Sequence, residues 1–193
     1  HRLQEGISFG DGVDYNVADY QSIASQRAKA WKVTHYPDHD LLSRHGFDSN
    51  DQKLYSASNL ERDYWDIVET SKEVAVEYGN DIDTHKFGSG FPISERGRSI
   101  YSIKKLDKMI QPEPEFGTDD YYKETWWNLN NLPLAPDSVL RHVKVGITGI
   151  NVPWLYFGSL FSTFCWHNED NYLYSLNYNH RGAPKLWYGV PGA

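Results

Sequence analysis

The run Phe164-Cys165-Trp166-His167-Asn168-Glu169-Asp170, followed at once by Tyr174-Ser175-Leu176-Asn177-Tyr178, decides how the chain is read. It is aromatic and strand-forming, and on a strand residues i and i+2 share a face. His167 and Glu169 therefore converge on one point. An imidazole and a carboxylate are two members of the facial triad that holds non-heme iron. His-x-Glu is a common pattern, and an ordinary hydrogen-bonded pair accounts for it as readily as a metal does. An ionisable pair on an aromatic strand is nonetheless costly to bury without a compensating partner. None of His35, His39, His45, His85, His142 and His180 is placed by its spacing to be a third ligand.

Outward from this run the chain is strand-dense. Strands are predicted over residues 139–147, 152–157, 161–169, 172–179 and 186–190, with Arg181-Gly182-Ala183-Pro184 turning between the last two. Val74, Val76 and Tyr78 alternate with Glu73, Ala75 and Glu77, which predicts a half-buried strand ended by Gly79-Asn80. Helical periods come earlier. Val17, Tyr20, Ala24, Ala28 and Trp31 share one face, and Leu60, Tyr64 and Ile67/Val68 form a second stripe behind a Ser58/Glu61 capping box. Residues 36–57 and 111–120 read as polar loops. The pattern predicts an α+β unit: a helical part over 1–72, then a β-core over 73–193 built as a sandwich or barrel.

Composition narrows the class. A chain of 193 residues that is 39% hydrophobic and 15% aromatic is long and apolar enough for a core. One cysteine excludes a disulfide framework and a cysteine-rich zinc site, and makes Cys165 an intracellular, reduced thiol. No segment is long and apolar enough to span a bilayer, so no membrane partner is expected. The net charge of −7 argues against direct DNA binding through this segment. An acidic surface suits a basic peptide, although a mildly acidic pI is ordinary in itself.

Four polar residues stand out beside the His-x-Glu pair. Ser175 and Asn177 share a strand face, either solvated or turned to an anionic ligand. Lys185 opens a strand after Pro184 with Trp187 on the same face. It is either a solvated turn lysine or a cation that closes on an acidic ligand. Tyr78 lies on an apolar face, and its hydroxyl needs an acceptor.

Together these stretches resemble the catalytic JmjC domain of the Jumonji histone demethylases, most closely the lysine-specific demethylase 5 branch that acts on methylated lysine 4 of histone H3. The resemblance runs through Ser8-Phe9-Gly10-Asp11-Gly12, Glu61-Arg62-Asp63-Tyr64-Trp65, Val76-Glu77-Tyr78-Gly79-Asn80-Asp81-Ile82 and Phe87-Gly88-Ser89-Gly90-Phe91-Pro92. It continues through Trp127-Asn128-Leu129-Asn130, Val152-Pro153-Trp154-Leu155-Tyr156 and Phe161 onward to Pro191. It implies a double-stranded β-helix, a cupin-like jelly-roll barrel, preceded by helices. It implies His167 and Glu169 as iron ligands, and Tyr78, Ser175, Asn177 and Lys185 around 2-oxoglutarate, with Phe164 and Trp187 as apolar walls. Tyr156 then lines the methyl-lysine pocket.

The implied reaction couples oxidative decarboxylation of 2-oxoglutarate, with Fe(II) and O2, to oxidation of an N-methyl group and release of formaldehyde. The implied partner is a methylated histone H3 tail, in the nucleus, with chromatin contacts made by domains outside this chain. By the same resemblance the third ligand and the strands that close the barrel lie beyond Ala193, and the chain alone is expected to be inactive. Asn171, Asn179, Arg181 and Ala183 depart from the branch, and the loop over 36–57 looks longer. Two other readings carry different expectations: a chromatin-binding pseudoenzyme of the same fold, and a protein hydroxylase.

Overall fold

The computed structural model describes residues 10–37, 57–93 and 114–192. Most of the loop expected over 36–57 therefore lies outside the described residues. Contacts divide the chain between Ser162 and Thr163 into two compact units.

In the first unit, α1 spans Val17–His35. Asn16 caps it by accepting from the Asp19 N–H at 2.9 Å, and Lys32 and His35 in the last turn complement the negative helix end. Tyr20, Ala24, Ala28 and Trp31 are half-buried as their spacing predicts, but Val17 is exposed. Helix α2 covers Ala57–Thr70. Ser58 is helical, inside the first turn, so it does not serve as the predicted cap. Leu60, Tyr64 and Ile67 form its half-buried stripe, while Val68 is exposed. The two helices meet at Asp63, whose carboxylate accepts from Trp31 Nε1 at 3.0 Å and from the Tyr36 hydroxyl at 2.8 Å. Burial and that carboxylate together raise the Tyr36 pKa.

The strand predicted over 74–78 begins later. Residues 72–78 are irregular, and β1 spans Gly79–Asp83, antiparallel to β2 at Trp154–Phe157. The backbone explains the shift. The Glu77 carbonyl, which a ladder would use, accepts from the Tyr20 hydroxyl at 2.8 Å and from Ser159 Oγ at 2.7 Å. The same hydroxyl also lies 2.7 Å from the Phe157 carbonyl, so one phenol ties α1 to β2 and to the segment that leads into β1, and burial raises its pKa. Gly79 pairs with Phe157, and a Cβ there would sit 3.1 Å from Ile82 Cδ1 and 3.3 Å from Phe157 Cβ. The close approach leaves almost no room for a side chain. The register slips between Gly79 and Ile82, where Asp81 takes φ 51°.

After β1 the chain enters the short helix α3, Thr84–Phe87, capped by Asp83, and Thr84 Oγ1 donates to the Pro153 carbonyl at 2.7 Å. Helix α4, Asp119–Glu124, is capped by Thr118 and falls partly inside the segment read as loop. Residues 139–147 are not a strand. Ser138 Oγ accepts from the Leu140 N–H and starts a 3-10 turn, Val139–His142, and Val139 and Val145 remain exposed. β-Branched residues favour a strand only when a neighbouring strand can use them.

The best-buried side chains are largely polar. Among the described residues Leu134 and Val152 are the buried apolar ones, while Asn128, Asn131, Asn151, Thr84 and Thr125 are buried polar ones. Asn131 is 0% exposed and its amide donates to the Lys123 and Thr125 carbonyls at 2.7 and 3.1 Å. Asn128 donates to the Pro92 and Tyr122 carbonyls. These amides tie the end of α4 and the Pro92 carbonyl to the turns that follow the helix. Asn131→Ala strands two buried carbonyls, and is expected to cost about 2 kcal/mol, read as a lower urea midpoint at unchanged slope.

In the second unit, from Thr163, the described residues contain no strand. The segments predicted as strands over 163–169, 172–179 and 186–190 are irregular, interrupted by a 3-10 turn at Asp170–Tyr172 in which Asn171 and Tyr172 take positive φ. Tyr174, Leu176 and Tyr178 keep the alternation of a strand but are exposed. Alternation supplies an apolar face, and a strand also needs a ladder partner to satisfy its backbone. Phe161, predicted to start a strand, instead turns the chain at φ 66° and sets its ring edge-on to Trp31 at 4.8 Å. The α+β class is seen in the first unit.

Candidate functional site

His167 and Glu169 come together as their spacing implies. Nε2 of His167 lies 3.6 Å from Oε1 of Glu169, both side chains half-exposed. Nδ1 of His167 is 2.9 Å from the Cys165 carbonyl. A carbonyl can only accept, so this contact is a hydrogen bond when Nδ1 carries a proton, and Nε2 is the nitrogen that faces the carboxylate. That is the orientation a metal-bound histidine needs, with its second nitrogen anchored to backbone. One nitrogen and one carboxylate oxygen suit Fe(II). Among the described residues no group of three His, Cys, Asp or Glu side chains forms.

Lys185, Phe164 and Trp187 gather beside the pair. The Lys185 ammonium sits 4.6 Å over the Phe164 ring and 5.1 Å over the Trp187 ring. Burial lowers its pKa from the usual 10.5. No carboxylate among the described residues neutralises it within ion-pair distance. Phe164 is edge-on to the His167 ring at 5.2 Å and to Trp187 at 6.4 Å. A cleft of about 530 Å³ opens here, lined by Trp166, His167, Asn168, Gly189 and Val190. An imidazole–carboxylate pair, an aromatic wall and a half-buried cation thus share one small region.

Ser175 and Asn177 are exposed on the irregular segment after the 3-10 turn, and this unit does not gather them into the cluster. Tyr78 and Tyr156 belong to the first unit. Their rings stack with centroids 6.2 Å apart, and the Tyr156 hydroxyl donates to Asp81 Oδ1 at 2.8 Å. Burial first, then the nearby Asp81 charge, raises the Tyr78 pKa. Tyr78 is therefore a neutral donor at physiological pH. Asp81 had no signal in the sequence, because only the bulge in β1 turns its carboxylate to Tyr156. Trp166 was also missed. Its indole N–H donates to the Tyr188 carbonyl at 2.6 Å, a contact between segments that spacing along one strand does not reveal.

Residues 154–193, covering β2 and the whole second unit, match the family described as JmjC domain, hydroxylase. Relatives extend the match upstream. The lysine-specific demethylase JMJ703 of Oryza sativa subsp. japonica is 46% identical over 146 residues, 75% of this chain and 10% of its own. The chain belongs to the JmjC family. Lysine-specific demethylase 5B of Gallus gallus is 45% identical over 134 residues, 69% of the JmjC chain described here and 8% of its own. JMJ16 of Arabidopsis thaliana is 38% identical over 190 residues, 97% of this chain and 14% of its own. The chain thus spans about a tenth of the length of the curated relatives it matches. Its JmjC likeness includes the lysine-specific demethylase 5 branch.

Proposed function

We propose that this chain supplies the iron and cosubstrate end of a histone lysine demethylase, acting on methylated lysine 4 of histone H3 with Fe(II), 2-oxoglutarate and O2. The observation that carries the reading is the His167–Glu169 pair, its imidazole anchored through Nδ1 at the Cys165 carbonyl, beside a Lys185 cation that meets no carboxylate among the described residues. The donor set and the cation fit a metal and a dicarboxylate together. Likeness to proteins named lysine-specific demethylases supports the same reading. In this proposal the whole fold is a cupin-like jelly-roll barrel and the protein works in the nucleus on chromatin.

His167 and Glu169 hold the metal. Lys185 binds the distal carboxylate of the cosubstrate; the family resemblance, rather than any contact among the described residues, adds Tyr78 as a neutral donor and Ser175 and Asn177 as further polar contacts. Phe164 and Trp187 wall the cosubstrate and keep water from Lys185, which strengthens a charge-assisted contact. Tyr156, held by Asp81, offers an aromatic face to a methylammonium. The bound metal and cosubstrate supply the oxidation of the N-methyl group, and the protein positions its participants.

The test offers histone H3 peptides methylated at lysine 4 or at other lysines, with Fe(II), 2-oxoglutarate and O2, and reads peptide mass and formaldehyde. Loss of methyl groups from the lysine 4 peptide is the expected result for the full-length protein. A gain of one oxygen on an unmethylated peptide would replace demethylation with protein hydroxylation. Peptide binding without metal-dependent turnover would mark a chromatin-binding pseudoenzyme.

A further inference from the structure

We propose that Trp166 is a positioning residue that sets the spacing between the metal pair and Lys185. The proposal rests on the functional reading above and adds a residue that the reading does not use. Two segments build the cluster: one carries Phe164, His167 and Glu169, the other Lys185 and Trp187. No strand ladder joins them among the described residues. Side chains do that work. The Trp166 indole N–H donates to the Tyr188 carbonyl at 2.6 Å, and its ring packs on Trp187 at 5.3 Å with the planes 50° apart. Trp166 adjoins His167 in sequence, and its acceptor lies three residues past Lys185. The bond therefore spans the two segments next to the groups whose separation matters.

The consequence is a split between two affinities. The metal pair is local: His167 is anchored to Cys165 of its own segment, and Glu169 is two residues away. Its geometry does not depend on the Trp166 bond. The cosubstrate must reach both the metal and Lys185, so its binding depends on how far apart the segments stand. A general stability role would weaken both together, whereas a positioning role weakens only the second.

Trp166→Phe keeps an aromatic ring against Trp187 and removes the N–H. Calorimetric titration measures Co(II) binding alone, then 2-oxoglutarate binding to the Co(II)-loaded protein. The expected result is Co(II) affinity within about twofold of wild type and 2-oxoglutarate affinity lower by about fivefold to tenfold, the worth of one hydrogen bond. Unchanged 2-oxoglutarate affinity, or an equal fall in both, overturns the proposal. A wild-type protein that binds neither ligand overturns the functional reading and this inference with it. A second measurement needs no variant: the Trp166 indole N–H, exposed but bonded to the Tyr188 carbonyl, should exchange with solvent more slowly than an indole N–H that has no protein acceptor. Fast exchange in the wild-type protein overturns the proposal as well.

Discussion

A His167→Ala variant is expected to lose at least about 100-fold in affinity for a divalent metal. Removing even the outer partner of a metal ligand costs roughly 10- to 100-fold, and in the proposed site His167 is the ligand itself. The site has little with which to compensate. Glu169 alone is one half-exposed carboxylate, and among the described residues no third His, Cys, Asp or Glu joins it. Co(II) is a suitable probe because it resists air oxidation and quenches fluorescence, and the indoles of Trp166 and Trp187 lie within the same cluster. Titration should show quenching in wild type and none in His167→Ala at the same concentrations. His180→Ala, also in the second unit and exposed, serves as the control with unchanged affinity. Equal quenching in wild type and His167→Ala would mean that the ion sits elsewhere.

Lys185→Ala is expected to weaken 2-oxoglutarate binding by about 100-fold while leaving metal affinity intact. Truncating one partner of a desolvated charge pair costs about 2–5 kcal/mol, much of it from the anion left unpaired. The pH dependence follows from burial, which lowers the Lys185 pKa from 10.5. As pH rises through that lowered value the cation is lost, so affinity should begin to fall at a lower pH than an exposed lysine would allow. For folding the sign is opposite. Between the lowered folded pKa and 10.5 the unfolded chain binds more protons, so the cost of burying this cation is present at lower pH and relieved as pH rises through the window. Lys185→Arg keeps the charge across the range. Its cosubstrate affinity should show no alkaline fall, and a fall identical to wild type would assign the titration to another group.

Much of the local structure was legible. Tyr20, Ala24, Ala28 and Trp31 mark one face of α1 because helical spacing alone brings them into line. His167 and Glu169 meet because their two-residue spacing keeps both side chains within reach even where no strand forms. The strands were less legible, for a physical reason. A helix satisfies its backbone within itself, whereas a strand depends on a partner that the local pattern does not name. Val74–Val76–Tyr78 alternates as a strand should, yet side-chain hydroxyls of Tyr20 and Ser159 take the Glu77 carbonyl and the ladder starts at Gly79. Tyr174, Leu176 and Tyr178 alternate as well, and stay exposed without a ladder.

The sequence by itself determined the helical faces, the pairing of an imidazole with a carboxylate, and a likeness spread over enough separate stretches to point to the JmjC family. Each depends on spacing along one segment or on residue identity in order. Only the tertiary structure decided which His167 nitrogen faces the carboxylate, because Nδ1 is turned to the Cys165 carbonyl and leaves Nε2 beside Glu169. It alone placed Lys185 between two aromatic rings, turned Asp81 to Tyr156, and bridged two segments through Trp166. Those are contacts between residues distant in the chain or dependent on a single backbone angle. Folding brings them together, and no period in the sequence encodes them.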